Sequence, residues 1–265
     1  MNVSSWLKKA AISQISRLDA ELLLAHALGK ERVFLHAHPD YELSESEQEQ
    51  ADNYLERRKK HEPVAYILGY KEFYGRKFLV SPDVLIPRPE TEAIIDLAKE
   101  LALKSPKTID VGTGSGCIAI TLKLEIPDSD VLAVDISEGA LELASKNASI
   151  LKADLKFAKS NLLTGVKGQF DVIAANLPYV DKKWDWLSPE LVFEPETALY
   201  SADFGLKDIK ELILQCEPKI TEKGALILES DLTQHEAIED FVNNNTNFML
   251  VKTSGLAQMF QKKPN

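Results

Sequence analysis

Apolar and polar positions change their rhythm once along this chain of 265 residues. Up to about residue 72 the spacing is helical. In the stretch 16–29, Leu18, Leu22, Ala25 and Leu28 fall three and four positions apart, which predicts one apolar helix face, and Gly29 supplies a stop. Ser44 followed by Glu47 has the form of a capping box and opens a helix that runs to about Lys60. His61-Glu62-Pro63 ends that helix, because a residue before proline is pushed out of the helical region. The segment carries too few apolar residues for an enzyme core and reads as a helical recognition module.

From residue 73 the pattern is different. Phe73 to Val80 alternates and Ser81-Pro82-Asp83 turns, predicting a short hairpin that serves as a linker over residues 73–88. From Pro89 to the end, helical and strand-like stretches alternate. A helix at 90–104 leads to a strand at 107–111, a helix from 115 to a strand at 130–135, and a helix from 137 to a short strand near 154–158. A strand at 170–175, a helix near 205–217, a strand at 224–230 and two short strands complete the chain. Strands separated by helices predict an α/β fold with a doubly wound, parallel sheet. The expected organisation is therefore a helical domain at 1–72, the linker, and a catalytic domain at 89–265.

The first of these strands runs into Gly112-Thr113-Gly114-Ser115-Gly116. Glycines at a strand-to-helix turn let the backbone approach a ligand, and the following helix start offers free N–H groups. Asp135, ending the next strand, is placed to hold ribose hydroxyls. Gly114-Ser115-Gly116-Cys117-Ile118-Ala119 also satisfies the dinucleotide fingerprint, so the loop by itself leaves a nicotinamide cofactor open. With Asp110 included, the Asp-x-Gly-x-Gly-x-Gly register resembles the loop of class I methyltransferases, which cradles the methionine tail of S-adenosyl-L-methionine. That resemblance implies a Rossmann-like, mostly parallel seven-stranded sheet.

Asn176-Leu177-Pro178-Tyr179 follows the strand at 170–175, at the carboxyl end where open α/β sheets bind ligands. It resembles the Asn/Asp-Pro-Pro-Tyr motif of methyltransferases that act on planar nitrogens: adenine, cytosine and glutamine amides. The lone pair of such a nitrogen is delocalised. The Asn176 side-chain oxygen and the carbonyl of Leu177 can accept its two N–H bonds, fix the plane and turn the lone pair toward a methyl donor. Pro178 holds residue 177 extended, and Tyr179 can stack on the planar group. Leu177 departs from the usual proline. Asn-Leu-Pro-Tyr is also a form found in adenine dimethylases of ribosomal RNA, so the substrate class stays open at this motif.

Charge narrows the classes. The formal net charge is -10, whereas proteins that live on nucleic acid usually carry a basic surplus. The run Arg57-Arg58-Lys59-Lys60 follows acidic residues and reads as a solvated helix face. Two distant cysteines, Cys117 and Cys216, form no disulfide framework and suit a reducing cytoplasm. His36 and His38 lack partners at metal spacing, so no metal is expected. The start has no signal-peptide pattern, and no apolar run reaches membrane-span length.

Further stretches resemble the release-factor glutamine methyltransferases of the HemK/PrmC family. They are Arg17 to His26, Glu62 to Gly69, Leu85-Ile86-Pro87-Arg88-Pro89-Glu90-Thr91-Glu92, Phe193-Glu194-Pro195 with Ala198-Leu199, Gly205-Leu206, and Leu226 to Glu229. The resemblance spans nearly the whole chain and includes the helical module. It implies that this module docks class I peptide-chain release factors while the catalytic domain receives the glutamine of a Gly-Gly-Gln loop. By position, it implies that Gly112 to Gly116 and Asp135 bind S-adenosyl-L-methionine, with Leu162 packing near the adenine and Asn161 as a polar partner. Asn176 to Tyr179 would take the amide, and Pro87, Arg88 and Pro89 would line the pocket. For Arg88 an ion pair with Glu90 or Glu92 is the alternative. Neither nucleic acid nor membrane is an expected partner.

Overall fold

The computed structural model describes residues 1–185 and 187–264, which divide into two compact units. One comprises Met1–Tyr70 with Ser188–Phe193; the other begins at Lys71 and resumes at Glu194.

The first unit holds helices α1 (Val3–Ile12), α2 (Arg17–Ala27), α3 (Arg32–Ala37), α4 (Glu45–Lys59) and α5 (Val64–Leu68). Asn2, Ser16 and Ser44 cap α1, α2 and α4 by accepting from backbone N–H groups, and Ser44 forms the full capping box with Glu47. Trp6, Ala10, Leu24, Ala51 and Leu55 pack into its core. Two expectations need correction. Of the predicted face Ala25 and Leu28 are buried, Leu22 is half-buried and Leu18 is 51% exposed, while Ala20, Leu23, Leu24 and Ala27 are buried as well. Helix α2 packs against α1, α3, α4 and α5, so it buries a wide arc rather than one stripe. That arc includes Glu21, whose carboxyl is held below its ordinary value chiefly by the hydrogen bond from Arg17, with Arg32 adding to it. The basic run is not wholly solvated either. Arg58 donates to Asp19 at 2.9 Å and to Glu190 at 2.6 Å, which ties Ser188–Phe193 to this unit.

From the last residue of the first unit into the second, β1 (Tyr70–Phe73) and β2 (Arg76–Leu79) pair across a tight turn at Tyr74 and Gly75, with φ of 49° and 71°. The hairpin thus turns well before Ser81-Pro82. A 3₁₀ turn, Pro89–Thr91, leads into α6 (Glu92–Glu100). Then follow β3 (Lys107–Val111), α7 (Cys117–Glu125), β4 (Asp130–Asp135), α8 (Glu138–Leu151), β5 (Lys156–Lys159) and β6 (Phe170–Ala175). The short α9 (Glu196–Leu199), α10 (Lys207–Cys216), β7 (Ile220–Glu229), α11 (His235–Asn245), β8 (Phe248–Ser254) and β9 (Ala257–Lys262) complete it. Helix α7 begins at Cys117 rather than 115 because Gly116, at φ 81°, lies outside the helical region.

The seven strands run in the order β5-β4-β3-β6-β7-β9-β8, parallel except at β9. Alternate residues face opposite layers. Ile173, Leu226 and Leu228 pack toward Ile209, Leu212 and Ile238, whereas Ala174, Ala225 and Ile227 pack toward Ile94, Leu97 and Ile118. The chain steps outward from β3 to β5 and then returns to the other side of β3 with β6. The crevice beyond the carboxyl ends of β3 and β6 is where such a sheet accepts a ligand.

Candidate active site

A cavity of about 340 Å³ opens at that crevice, within the usual size range for small-molecule sites. The loop after β3 contributes Gly112, Thr113, Gly114 and Ser115 to its wall. Asp135 and Ile136 come from the end of β4, Asn161 and Leu162 from beyond β5, and Asn176, Leu177 and Pro178 from beyond β6. Pro87, Arg88 and Thr91 arrive from the segment before α6.

Four sequence-predicted residues stand off the wall, each for a local reason. Asp110 is fully buried beneath the loop and accepts from the Thr113 hydroxyl at 2.6 Å and from the Ala119 N–H at 3.2 Å. Burial pushes its carboxyl up to about 7, while its second oxygen has no protein partner among the described residues. Gly116 is pressed against α8, where a Cβ would meet Ala144 at 3.0 Å. Pro89 is spent opening the 3₁₀ turn. The Tyr179 hydroxyl is held 3.1 Å from Oε1 of Glu229, behind the wall rather than on it.

Asp135 meets the loop directly. Oδ2 accepts from the Gly114 N–H at 2.9 Å and Oδ1 from the Ser137 N–H at 2.9 Å, and a carboxylate with about four acceptor sites retains capacity for ligand hydroxyls. A Cβ at Gly114 would meet nothing within 4 Å, so the cavity side of the loop is open there. Across the cavity, Leu162 adopts φ 49°, a left-handed conformation that is uncommon for leucine and that its sequence does not announce.

Two acceptors fix the Asn176 carboxamide. Its Nδ2 donates to the Thr91 hydroxyl at 3.0 Å and to Glu229 Oε1 at 2.9 Å, and Oδ1 accepts no hydrogen bond among the described residues. Ala175 pairs with Leu228, so Asn176, just beyond β6, continues the register beside Glu229, the last residue of β7. Burial raises the Glu229 carboxyl above its ordinary value against the lowering effect of the Thr91, Tyr179 and Asn176 hydrogen bonds. Sequence reasoning missed Glu229 and Thr91 as parts of the site. The available signal was an acidic residue closing the apolar run Leu226-Ile227-Leu228.

Arg88 pairs with Glu194, not with Glu90 or Glu92. The other oxygen of Glu194 accepts from the Ile86 N–H at 2.9 Å. Glu92 instead accepts from the Tyr74 N–H at 2.7 Å. One acidic side chain thus moors each end of Ile86–Glu92, and Thr91, next to its far end, connects it to Asn176.

Residues 2–69 match the family model for the PrmC N-terminal domain, and residues 91–199 that for the methyltransferase small domain. The chain is 41% identical over 249 residues to the release factor glutamine methyltransferase of Koribacter versatilis, covering 92% of this chain and 89% of that protein. The Escherichia coli protein of the same name is 37% identical over 247 residues, covering 90% and 89%. The chain belongs to the release factor glutamine methyltransferase family. Solved structures place its fold among methyltransferases. A ribosomal protein L11 methylase from Lactobacillus delbrueckii aligns with TM-score 0.51 at 25% identity, over 74% of this chain and 90% of that one. A T. thermophilus 16S rRNA methyltransferase in complex with AdoMet and guanosine aligns with TM-score 0.54 at 14% identity, over 74% and 50%. Within the family assignment, the nicotinamide reading of the glycine loop falls away.

Proposed function

We infer that this protein transfers a methyl group from S-adenosyl-L-methionine to the side-chain amide nitrogen of the glutamine in the Gly-Gly-Gln loop of class I release factors. The observation that carries the reading is Asn176, whose donating end is occupied by Glu229 and Thr91 while Oδ1 remains available on the cavity wall.

The cavity fits the cofactor: Asp135 retains acceptor capacity for ribose hydroxyls, Gly114 leaves open space, and Asn161 and Leu162 offer a polar and an apolar contact to a base. When bound, S-adenosyl-L-methionine supplies an electrophilic methyl group on a sulfonium centre. The protein supplies alignment. Asn176 Oδ1 and the Leu177 carbonyl accept the two amide hydrogens, hold the plane and disfavour resonance of the nitrogen lone pair with its carbonyl. The surplus proton leaves toward one of these acceptors or toward water, so no dedicated base is required.

The helical unit serves as the docking module for the release factor, and the activity belongs to the cytoplasm. Among the described residues no helix is long and apolar enough to cross a membrane. The reading is tested by incubating the protein with labelled S-adenosyl-L-methionine and either release factor or ribosomal RNA, then locating the methyl group by mass spectrometry. Label on a release-factor glutamine is the expected result; label confined to RNA overturns it. A chain starting at Lys71 should keep its cofactor affinity but lose kcat/KM on intact release factor, and equal kcat/KM would remove the docking role.

A further inference from the structure

A carboxamide has an accepting end and a donating end of nearly equal size, and only the accepting end can serve a substrate nitrogen that carries hydrogens. On the cavity wall, the Thr91 hydroxyl accepts from Asn176 Nδ2 at 3.0 Å, but a hydroxyl can donate as well as accept and so does not by itself decide which end of Asn176 faces the cavity. Glu229 does. It is 1% exposed, closes the buried apolar run Ala225–Leu228, and lies behind Asn176 rather than on the wall. Burying a carboxylate is costly unless hydrogen bonds compensate. Here Asn176 Nδ2 and the Tyr179 hydroxyl both donate to Oε1, at 2.9 and 3.1 Å, while Oε2 has no hydrogen-bond partner among the described residues, so the compensation falls on Oε1 alone. A flipped Asn176 would set its own oxygen against this carboxylate.

We propose that Glu229 is a positioning residue for methyl transfer, holding Asn176 with its nitrogen inward and its oxygen toward the acceptor amide. The proposal rests on the amide-methyltransferase reading of the site. It gives Tyr179 a part as well, as a second donor that keeps Oε1 in place.

The test exchanges the two chemistries. Glu229→Leu removes the acceptor at similar size and should lower kcat by about 30-fold or more, with cofactor affinity within about twofold of wild type. Asn176→Asp alone sets two carboxylates side by side. It should lower kcat by a comparable factor at neutral pH, with activity rising as the pH falls and the pair shares a proton. Adding Glu229→Gln to Asn176→Asp supplies an N–H in place of the lost donor and leaves one Asp oxygen facing the cavity. That double variant should recover about tenfold or more in kcat and lose the acid-side rise.

A role confined to stability would move the melting temperatures without this reversal. Wild-type kcat in Glu229→Leu, or no gain from Glu229→Gln in the Asn176→Asp background, overturns the proposal. The pH dependence of Tm in the Asn176→Asp and double variants reads the same contact without substrate. A wild-type protein that left release factors unmodified would defeat the functional reading, while the stability comparison would still decide the role of Glu229.

Discussion

A Cβ built on Gly205 would lie 1.9 Å from the carbonyl oxygen of Tyr179, the last residue of the Asn176–Tyr179 motif. No side-chain rotation relieves such a contact, because the obstacle is backbone, and Gly205 also sits at φ 83°. The Gln234 side chain donates to the same carbonyl and to that of Phe204, both at 2.8 Å. Gly205→Ala is therefore expected to displace the motif. It should destabilise the protein by about 3 kcal/mol, the scale of strained-backbone and core disruptions, and reduce kcat. Denaturant unfolding and a methylation assay check the two effects together; an unchanged midpoint would contradict the contact.

Asn176→Ala removes the acceptor proposed for the substrate amide without touching the glycine loop. The expected outcome is a fall in kcat of about 100-fold, with cofactor affinity nearly unchanged, as for loss of one preorganised polar contact. Calorimetric titration with S-adenosylhomocysteine, run beside single-turnover assays, separates binding from chemistry.

Leu177→Pro should diverge from that variant. The main-chain carbonyl survives, so kcat is expected within about tenfold of wild type. Leu177 is nevertheless 5% exposed and packed into the core, and losing part of that side chain should cost about 1–2 kcal/mol of stability. Thermal melts beside initial rates would show stability falling while activity largely persists; a dead but stable enzyme would count against the carbonyl acceptor.

Asp135→Ala tests the cofactor side. The Gly114 N–H loses its acceptor and the ligand loses its carboxylate, so affinity for S-adenosyl-L-methionine should weaken by roughly 1.5–3 kcal/mol. Isothermal titration measures it, with NAD as the control ligand that should not bind to the wild type.

Asp110 predicts a pH signature. Its folded-state pKa, about 7, lies above the ordinary value of 3.8. As pH rises from 4 to 7 the unfolded chain releases this proton while the folded protein retains it, so the residue's contribution to stability falls across that window and levels off above it. Asp110→Asn keeps an acceptor for Thr113 and Ala119 but cannot ionise. Its stability relative to wild type should therefore rise between pH 4 and 7. Urea unfolding of both proteins at several pH values decides this, and parallel curves would sink it.

The order of helices and strands, the glycine loop and the Asn176 motif were legible in the sequence because each rests on local chemistry. Hydrophobic period, proline and glycine breaks, and capping pairs act over a few residues, and Ser44 with Glu47 behaves in the fold as its spacing predicts. Element ends were less legible where one backbone angle intervenes. Gly116 delays α7, and the Tyr74-Gly75 turn brings the hairpin forward.

Pairings between distant residues were decided only by tertiary structure. Arg88 finds Glu194 rather than its neighbours Glu90 and Glu92, and Arg58 leaves the solvated face for Asp19 and Glu190. Asn176 meets Glu229 because β6 and β7 lie in parallel register, although 53 residues separate them. Local pattern names the residue types that chemistry needs, but the orientation of a carboxamide depends on partners brought to it from other strands. The sequence by itself could present Asn176; only the folded sheet determines which of its two ends faces the cavity.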